Sequence, residues 1–354
     1  MKRIVHVVGT GTIGEPLIGL LCAQKEALGI DEVTFHKRTP TPLDQPKIKN
    51  LLRRGARLCV DDDTRQGFVD MDLEPSLGGD EAMDRAQVVI DCTPSGNDRK
   101  EKLYSKVADG KKLFMAQGSE FGFGKPFARG INDETLVHGE DSFLQIVSCN
   151  THNIAAIIQN IALEPHGDDN LIEGRFVCIR RANDISQAGK FIPAPEVGKH
   201  SDPRFGTHHA RDAYHLYKTK NLELDLFSSA MKINTQYMHI IYFDMKLRRP
   251  TDKETVIEQL RSNDRVARTD QSSSGVVFSF GRDHGHYGRI LNQTVFAVPT
   301  LHVSEDGRSV HGYCFTPQDG NSLLSSAAGA VWWLYPDEYV DRLQALRPYF
   351  FTEV

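Results

Sequence analysis

The stretch Ile4-Val5-His6-Val7-Val8-Gly9-Thr10-Gly11-Thr12-Ile13-Gly14 decides the fold of the N-terminal part of the chain. A β-branched run leads directly into a GxGxxG turn, and apolar residues then recur at helical spacing from residue 17 to residue 23. Glycines in this context permit a tight turn, close approach of a pyrophosphate and packing of the helix on the strand. The stretch therefore predicts a dinucleotide-binding turn, with a plain strand-to-helix connection as the alternative. The expected cofactor-binding residues are Gly9, Gly11, Thr12, Ile13 and Gly14.

Outward from this turn, short apolar runs alternate with helical or polar stretches. Strands are predicted at residues 32–36, 58–60, 87–91, 113–115 and 144–147. Such alternation is typical of a parallel sheet covered by helices. We therefore predict an α/β fold in which residues 1–148 form a Rossmann-type, dinucleotide-binding domain.

The pattern changes after Cys149. A helix with one apolar face is predicted over residues 153–163, and longer alternating segments predict strands at residues 174–180, 232–247, 276–280 and 293–303. These strands fit an antiparallel or mixed sheet. Residues 149–320 are therefore predicted to form an α+β catalytic domain.

Composition bounds the class of protein. The chain has 354 residues, of which 40% are hydrophobic and 25% charged, as expected for a soluble protein of about two domains. The net charge of −5 gives no electrostatic reason to expect nucleic acid as a partner. No apolar run approaches the roughly 18 residues of a membrane span.

Six scattered cysteines without a CxxC pair predict reduced thiols and a cytoplasmic location. No metal site is predicted, because His208-His209 and His284-Gly285-His286 lack a third ligand at suitable spacing.

The end of the second predicted strand bears on the choice of dinucleotide. An acidic residue that binds the ribose of NAD is expected about 20 residues after the glycine turn. The sequence has His36-Lys37-Arg38-Thr39 there, without a carboxylate. Two cations and a hydroxyl suit a 2′-phosphate, so Lys37, Arg38 and Thr39 favour NADP over NAD. A solvated basic loop is the alternative.

Cys149 is the candidate nucleophile. It lies in Ser148-Cys149-Asn150-Thr151, which follows an apolar strand and precedes an apolar-faced helix. A thiol at the positive end of a helix dipole is expected to have a lowered pKa. A small buried hydrophobe is the usual role of a lone cysteine, and remains the alternative on spacing alone.

Several motifs, in order and over nearly the whole chain, resemble those of the archaeal-type (class II) glyceraldehyde-3-phosphate dehydrogenases. They are the glycine turn, Asp91-Cys92-Thr93-Pro94, Met115-Ala116-Gln117-Gly118-Ser119-Glu120, Ser148-Cys149-Asn150-Thr151, Arg180-Arg181-Ala182-Asn183-Asp184, Gly206-Thr207-His208-His209 and Tyr237-Met238-His239. The sequence departs from the family pattern at His152 and Asn153, at Ser119, and at Ile241, where the family has a second histidine. These departures bear on the identity of the substrate more than on the chemistry.

The resemblance implies a phosphorylating aldehyde dehydrogenase of glycolysis or gluconeogenesis. Cys149 would attack the aldehyde, hydride would leave for NADP or NAD, and phosphate would release the thioester. His239 would be the base and Asn150 a donor to the developing oxygen anion. The anion sites would be Thr151, Arg180, Arg181, His208 and His209; of the two arginines, only one can face the site from a strand.

The resemblance also implies further cofactor contacts and a quaternary structure. Thr93, Pro94, Gln117, Gly118 and Asn321 would contact the dinucleotide, and residues 321–354 would carry a helix that returns to the cofactor domain. A homotetramer is expected. Two alternatives remain open: a semialdehyde or acyl-phosphate reductase of the same two-domain plan, and a catalytically idle NAD(P)-binding protein.

Overall fold

The computed structural model describes residues 2–118, 120–164, 166–184, 189, 191–317 and 319–354. The chain forms two compact units. The first comprises Met1–Lys125, Leu136–Ile146 and Ser325–Arg347, and the second Pro126–Thr135, Val147–Leu324 and Pro348–Val354. The sequence did not predict that residues 126–135 and 348–354 belong to the second unit. Ser119, part of one family motif, lies outside the described residues.

The first sheet has the strand order β4-β3-β2-β1-β5-β6-β8-β7. Its strands are β1 (Ile4–Val8), β2 (Glu32–His36), β3 (Arg57–Val60), β4 (Leu77–Gly78), β5 (Val88–Asp91), β6 (Leu113–Gln117), β7 (Lys125–Phe127) and β8 (Phe143–Ile146). The pairs from β4 through β8 are parallel. This confirms the predicted Rossmann-type parallel sheet. The strand order reverses beside β1, the point where dinucleotides bind in such folds.

The second sheet has the order β10-β11-β9-β12-β16-β14-β13, with β15 paired to β16. Its strands are β9 (Leu171–Arg180), β10 (Glu196–Val197), β11 (Leu226–Lys232), β12 (His239–Leu247), β13 (Val266–Thr269), β14 (Thr294–Ala297), β15 (His302–Val303) and β16 (Ser309–Thr316). Two pairs, β9 with β11 and β13 with β14, are parallel, and the others are antiparallel. The predicted mixed, mostly antiparallel sheet is therefore confirmed.

Helices complete both units. They are α1 (Gly14–Ala23), α2 (Gln45–Arg53), α3 (Arg65–Val69), α4 (Gly79–Arg85), α5 (Gly96–Arg99), α6 (Ser105–Val107), α7 (Cys149–Ile158), α8 (His208–Lys218), α9 (Lys253–Ser262), α10 (Ser274–His284), α11 (Gly320–Leu334) and α12 (Tyr339–Arg342). Short 3₁₀ helices span Pro42–Asp44, Asp62–Thr64, Asp133–Thr135, Val298–Thr300 and Leu343–Tyr349, and π-helical turns span Lys100–Tyr104 and Gln159–Leu163. α11 begins in the second unit and continues in the first from Ser325.

The core of the second unit lies on one face of its sheet. Alternate residues of β12, from Ile241 to Leu247, are buried, whereas the residues between them are partly or fully exposed. This is the period-two pattern of a strand with one covered face. The buried residues join those of α7 and α8 in one apolar cluster, which anchors the N-termini of both helices.

Three strand predictions need correction. The predicted strand 276–280 is part of α10, because Val277 and Gly281 are buried at helical spacing while Val276 is exposed. Of the predicted strand 232–247, only residues 239–247 form a strand, β12; Lys232 is the last residue of β11, and residues 233–238 join the two strands. The predicted strand 293–303 is broken after β14 by a 3₁₀ turn that contains Pro299.

The glycine turn is constrained by close backbone packing. Gly9 has φ +93°, a conformation that side chains disfavour. A Cβ on Gly14 would lie 2.1 Å from the carbonyl oxygen of Gly9, whereas one on Gly11 would meet nothing within 4 Å. The third glycine is therefore required by packing between helix and strand.

We predict that Gly14→Ala lowers the free energy of unfolding by about 1–3 kcal/mol, because the added methyl group forces the turn and α1 apart. Thermal unfolding monitored by circular dichroism measures this loss. Gly11→Ala is the matched control and should unfold within error of the wild type. Equal loss in both variants would contradict the packing argument.

Candidate active site

A cavity of 260 Å³ lies at the carboxyl ends of β1, β2 and β5. Its lining residues are Val8, Gly9, Thr10, His36, Lys37, Arg38, Thr39, Thr93, Pro94, Ser95 and Arg99. Six of the predicted cofactor residues line it: Gly9, Lys37, Arg38, Thr39, Thr93 and Pro94. Gly11, Thr12, Ile13 and Gly14 form the adjoining turn and the start of α1. The cavity occupies the strand-order reversal and thus fits a dinucleotide.

The cations of this cavity are not equivalent. Lys37 Nζ lies 2.7 Å from the carboxylate of Asp44. Although burial acts to raise it, the hydrogen bonds from Lys37 and Thr41 hold the pKa of Asp44 below its usual range. Arg38, by contrast, is exposed. Lys37 is therefore already paired, and Arg38 is the better placed of the two to receive an anionic group.

His36 and Arg99 also line this cavity, and sequence reasoning missed both. Burial, together with the charges of Arg99 and Arg38, lowers the pKa of His36, although Asp61 acts in the opposite direction. Arg99 Nε lies 3.7 Å from the buried carboxylate of Asp91. The available signal was a basic residue on the short helix after β5.

The other predicted cofactor residues have contacts within their own units. In the first unit, Gln117 Nε2 donates to Ser326 Oγ at 2.8 Å, and the Gly118 N–H donates to the Ile146 carbonyl at 2.8 Å. In the second unit, the buried Asn321 donates from Nδ2 to the carbonyl oxygens of Cys149 and Gln293. Asn321 therefore supports the backbone at Cys149. Its Oδ1 atom has no partner among the described residues.

Cys149 is the first residue of α7. Ser148 caps this helix, because its hydroxyl accepts a hydrogen bond from the backbone N–H of Thr151 and contacts Thr151 Oγ1 at 2.9 Å. Asn150 Oδ1 accepts from Thr316 Oγ1 at 3.1 Å. The cap and the Asn150 contact hold the first turn of α7 in place, with the Cys149 side chain only partly exposed.

The sequence-based expectation of a lowered pKa at Cys149 is wrong. Burial, the negative charge of Asp319 and a hydrogen bond from the thiol to that carboxylate raise the pKa of Cys149 well above its usual value. Arg181 acts in the opposite direction, and Asp184 raises the pKa further. The Cys149 thiol is therefore protonated at neutral pH.

Arg181 is the buried charge of this site, with 1% of its side chain exposed. Its Nη2 atom donates to Asp184 Oδ1 and to Asp319 Oδ2, each at 3.1 Å. Its Nε and Nη1 atoms have no hydrogen-bond partner among the described residues. A buried guanidinium with two unused donors fits an anion.

The backbone of Arg181 sets the tautomer of His239. The Arg181 N–H donates to His239 Nδ1 at 3.0 Å. A nitrogen that accepts a hydrogen bond carries no proton, so the neutral ring is protonated at Nε2. Burial and the charges of Arg181 and Arg180 lower the pKa of His239 to about 3, although Asp319 opposes them. His239 is therefore a neutral hydrogen-bond donor at Nε2.

His208 and His209 begin α8, with ring centroids 3.9 Å apart. Both ring nitrogens of the buried His209 lack a partner among the described residues. Burial is the main cause that lowers the pKa of both histidines, and nearby positive charges, including Arg180, lower it further. The pKa of His208 falls to about 4. The charge of Arg180 thus acts on His208, His209 and His239. Among the described residues, no group of three His, Cys, Asp or Glu side chains is placed to hold a metal ion.

Comparisons with known proteins find relatives that match most of the length of the chain. The chain is 30% identical to a glyceraldehyde-3-phosphate dehydrogenase of Aeropyrum pernix over 325 residues, which cover 87% of this chain and 84% of the relative. The chain belongs to the archaeal glyceraldehyde-3-phosphate dehydrogenase family. A glyceraldehyde-3-phosphate dehydrogenase of Hyperthermus butylicus is 28% identical over 88% of this chain and 85% of its own length. One of Sulfolobus acidocaldarius is 23% identical over 86% and 84%. No family model matches the chain.

Membership of this family implies an oxidoreductase that uses NAD(P). None of the helices in the described part of the chain is long and apolar enough to cross a membrane.

Asp319 is the residue that the family motifs did not indicate. It is buried, has φ +67° and lies directly before α11, 138 positions from its partner Arg181. An Asp-Gly pair after a proline is typical of a turn, and that is the only local signal. Its effect on the pKa of Cys149 depends on the tertiary fold.

His152 replaces a threonine of the family pattern and is fully buried in α7. Its Nδ1 atom contacts the Ser148 carbonyl at 3.1 Å. Burial lowers the pKa of His152 to about 4, although backbone hydrogen bonds act in the opposite direction. The ring is therefore neutral at pH 7 and part of the core.

We predict that His152 makes the protein less stable in acid. Its pKa in the folded protein is about 4, whereas an unfolded histidine titrates near 6.5, so the unfolded chain binds the extra proton first. Stability falls as the pH drops from about 6.5 to about 4, by on the order of 3 kcal/mol for this residue. Urea unfolding at several pH values should show a smaller loss for His152→Gln, whereas the control His284→Gln, at an exposed histidine, should keep the wild-type slope. Identical slopes in all three proteins would contradict this assignment.

Proposed function

We propose that the chain is a phosphorylating glyceraldehyde-3-phosphate dehydrogenase that forms a thiohemiacetal and then a thioester on Cys149. The observation that carries the proposal is a thiol at the start of α7 whose pKa the charge of Arg181 acts to lower, together with two unused donors on that buried guanidinium. A soft nucleophile beside an anion site suits an aldehyde that bears a phosphate. The family of the relatives supports the same chemistry.

The reaction follows from these groups. The sulfur of Cys149 adds to the aldehyde carbon, and the aldehyde oxygen becomes a hydroxyl. When bound, the dinucleotide would supply the hydride acceptor. Loss of the hydride from the thiohemiacetal carbon, with loss of the hydroxyl proton to solvent, would leave a thioester on Cys149. An oxygen of inorganic phosphate then attacks the thioester carbonyl, the C–S bond breaks, and Cys149 is released with 1,3-bisphosphoglycerate as product.

Two groups would stabilise the developing oxygen anion. His239, with its proton on Nε2, can donate a hydrogen bond as a neutral ring. Asn150, held by Thr316 through Oδ1, keeps its amide hydrogens for donation. In this proposal His239 acts as a hydrogen-bond donor, and not as the general base that the resemblance implied.

Arg180, Arg181, His208, His209 and Thr151 would bind the two phosphates. Arg181 offers Nε and Nη1, and His209 offers both ring nitrogens. Only one of the arginines was expected to face the site; the burial of Arg181 and the effect of Arg180 on three histidines support roles for both.

For the cofactor, we propose NADP bound in the cavity at β1, β2 and β5. Arg38 would be the main contact of the 2′-phosphate, with Thr39 beside it, because Lys37 is paired with Asp44. The family resemblance further supports a homotetramer. The reduced cysteines support a cytoplasmic location.

A semialdehyde or acyl-phosphate reductase is the second candidate. The departures from the family pattern at His152 and Ile241 fit it, because they lie on the elements that carry Cys149 and His239. Both candidates use the same thioester chemistry and differ in the aldehyde.

The proposal predicts phosphate-dependent reduction of NADP with glyceraldehyde 3-phosphate. A panel of phosphorylated and free aldehydes, with absorbance at the reduced nicotinamide, identifies the substrate, and mass spectrometry without phosphate should find the acyl group on Cys149. Cys149→Ser should abolish the reaction, because a hydroxyl is a far weaker nucleophile near neutral pH. Cys22→Ala, at a buried thiol of the first unit, should retain it. If the wild type oxidises no aldehyde, the proposal is wrong. If it prefers a non-phosphorylated semialdehyde, the second candidate is favoured.

The cofactor assignment predicts that Arg38→Ala weakens NADP binding by roughly 10–100-fold, as expected for the loss of a charge-assisted hydrogen bond of about 1.5–3 kcal/mol. NAD binding should change little, because NAD has no 2′-phosphate. Lys37→Ala should have a smaller effect, since Lys37 is already paired. Isothermal titration with both dinucleotides measures the ratio, and Arg53→Ala, at an exposed cation outside this cavity, is the charge control. An unchanged NADP/NAD ratio in the Lys37→Ala/Arg38→Ala double variant would refute the preference.

A further inference from the structure

A row of four buried polar side chains joins α7 to β16 in the second unit. The Cys314 thiol donates to Asn153 Oδ1 at 3.2 Å, and Asn153 Nδ2 donates to Thr316 Oγ1 at 2.9 Å. The Thr316 hydroxyl then donates to Asn150 Oδ1 at 3.1 Å. Each of the four residues is at most 2% exposed. The row therefore runs, shielded from water, from the core of the unit to the residue that follows Cys149.

Two local periodicities place these residues in line. Asn150 and Asn153 are three positions apart in α7 and share one face of the helix. Cys314 and Thr316 are two positions apart in β16 and share one face of the strand. Cys314 belongs to the same apolar cluster as the buried residues of α7, and an unpaired amide or hydroxyl is costly in such surroundings. A row of polar groups that completes its own hydrogen bonds there fixes the orientation of its members.

The row has a direction, because its two ends differ chemically. A hydroxyl has one proton, so Thr316, which accepts from Asn153, can donate to Asn150. In the reverse direction Thr316 would donate to Asn153 Oδ1, and Asn153 Nδ2 would point at the sulfur of Cys314, a weak acceptor. The observed direction instead gives the thiol a carboxamide oxygen as its acceptor. It holds the oxygen of Asn150 against Thr316 and leaves both amide hydrogens of Asn150 turned away from Thr316.

Thr316 is also the neighbour of His239. The two residues are register partners in the antiparallel pair of β12 and β16, and directly opposed side chains lie on the same face of a sheet. His239 is the other proposed donor to the developing oxygen anion. Both donors therefore adjoin Thr316, although Asn150 comes from α7 and His239 from β12.

We propose that Cys314, Asn153 and Thr316 are positioning residues, which hold the Asn150 amide with its N–H groups toward the carbonyl oxygen of the aldehyde. The inference rests on the proposed function, and the three residues act through Asn150 without a part in bond making. An amide held with its nitrogen toward a developing anion stabilises that anion, whereas one held with its oxygen there repels it. Asn153, one of the departures from the family pattern, thus belongs to the support of the candidate active site.

The first test removes one hydroxyl. Thr316→Val keeps the shape of the side chain and should slow the acylation burst of reduced nicotinamide, measured by stopped flow, by roughly 10–10³-fold. The Kd of the dinucleotide and the KM for the aldehyde should stay near their wild-type values, because the proposed cofactor and phosphate contacts are made by other residues. Thr316→Ser retains the hydroxyl and should restore the burst.

The matched control for this test is Thr269→Val. Thr269 is a buried threonine of β13 whose hydroxyl donates to Val354, and it lies outside the row. Its replacement should leave the burst near the wild-type rate. A burst slowed equally in both valine variants would overturn the proposal.

The second test reverses the row. The carboxylate of Asn153→Asp can only accept, so the Thr316 proton turns to it and the Asn150 amide is no longer held. When this carboxyl group is protonated, it donates to Thr316 as the amide does. Acylation in the variant should therefore slow as the pH rises through the pKa of the introduced group, which burial raises.

This new pH limb separates positioning from a merely structural role, which would leave the shape of the pH profile unchanged. Asn160→Asp, at a buried asparagine outside the row, is the control and should keep the wild-type profile. A wild-type profile in Asn153→Asp would overturn the proposed direction of the row. Thr316→Val decides the matter if Asn153→Asp does not fold.

Failure of this inference and failure of the proposed function give different results. p-Nitrophenyl acetate acylates a cysteine without a dinucleotide, and release of p-nitrophenol measures that step. Thr316→Val should slow this release too, because the ester carbonyl develops a similar oxygen anion. If the wild type oxidises no aldehyde, the proposed function is wrong, and the ester reaction alone tests the row. If the wild type oxidises an aldehyde and Thr316→Val leaves both reactions unchanged, only the role of the row is overturned.

Discussion

The buried guanidinium of Arg181 is the interaction on which the candidate active site depends. Its Nη2 atom holds Asp184 and Asp319, its backbone N–H holds the ring of His239, and through Asp319 it influences the thiol of Cys149. A charge with 1% exposure is costly to bury unless it is paired. The ion pairs with Asp184 and Asp319 use one nitrogen of the guanidinium, Nη2. The two donors that remain explain why this position suits an anionic ligand.

This arrangement also sets the protonation state of the candidate nucleophile. At the start of a helix the thiol feels a favourable dipole, but the negative charge of Asp319 acts to raise its pKa. The resting thiol is therefore held in its unreactive form. Asn321 adds a positional constraint, because its amide holds the Cys149 carbonyl and so fixes the first turn of α7.

Local sequence was sufficient to predict a strand, turn or helix wherever the interactions that form it are between residues near in sequence. The strand, the glycine turn and α1 follow from β-branched residues, from the positive φ of Gly9 and from the absence of room for a side chain at Gly14. Prediction failed where neighbours distant in sequence decided the outcome. Residues 276–280 alternate like a strand, yet they form a helix because Val277 and Gly281 are the buried positions. Lys37 and Arg38 look equivalent in sequence, but only Lys37 has Asp44 beside it.

The sequence by itself determined the parallel and mixed sheets and the position of Cys149 at the start of a helix, because periodicity and turn residues act over a few positions. The comparison with relatives at up to 30% identity then established the family. Only the tertiary structure decided the protonation of the site. Asp319 and Arg181 are 138 residues apart, and their ion pair exists because β9 and the start of α11 bring them together within one unit. Charges in a buried site act through space, so no local pattern could have revealed which of them reaches the thiol.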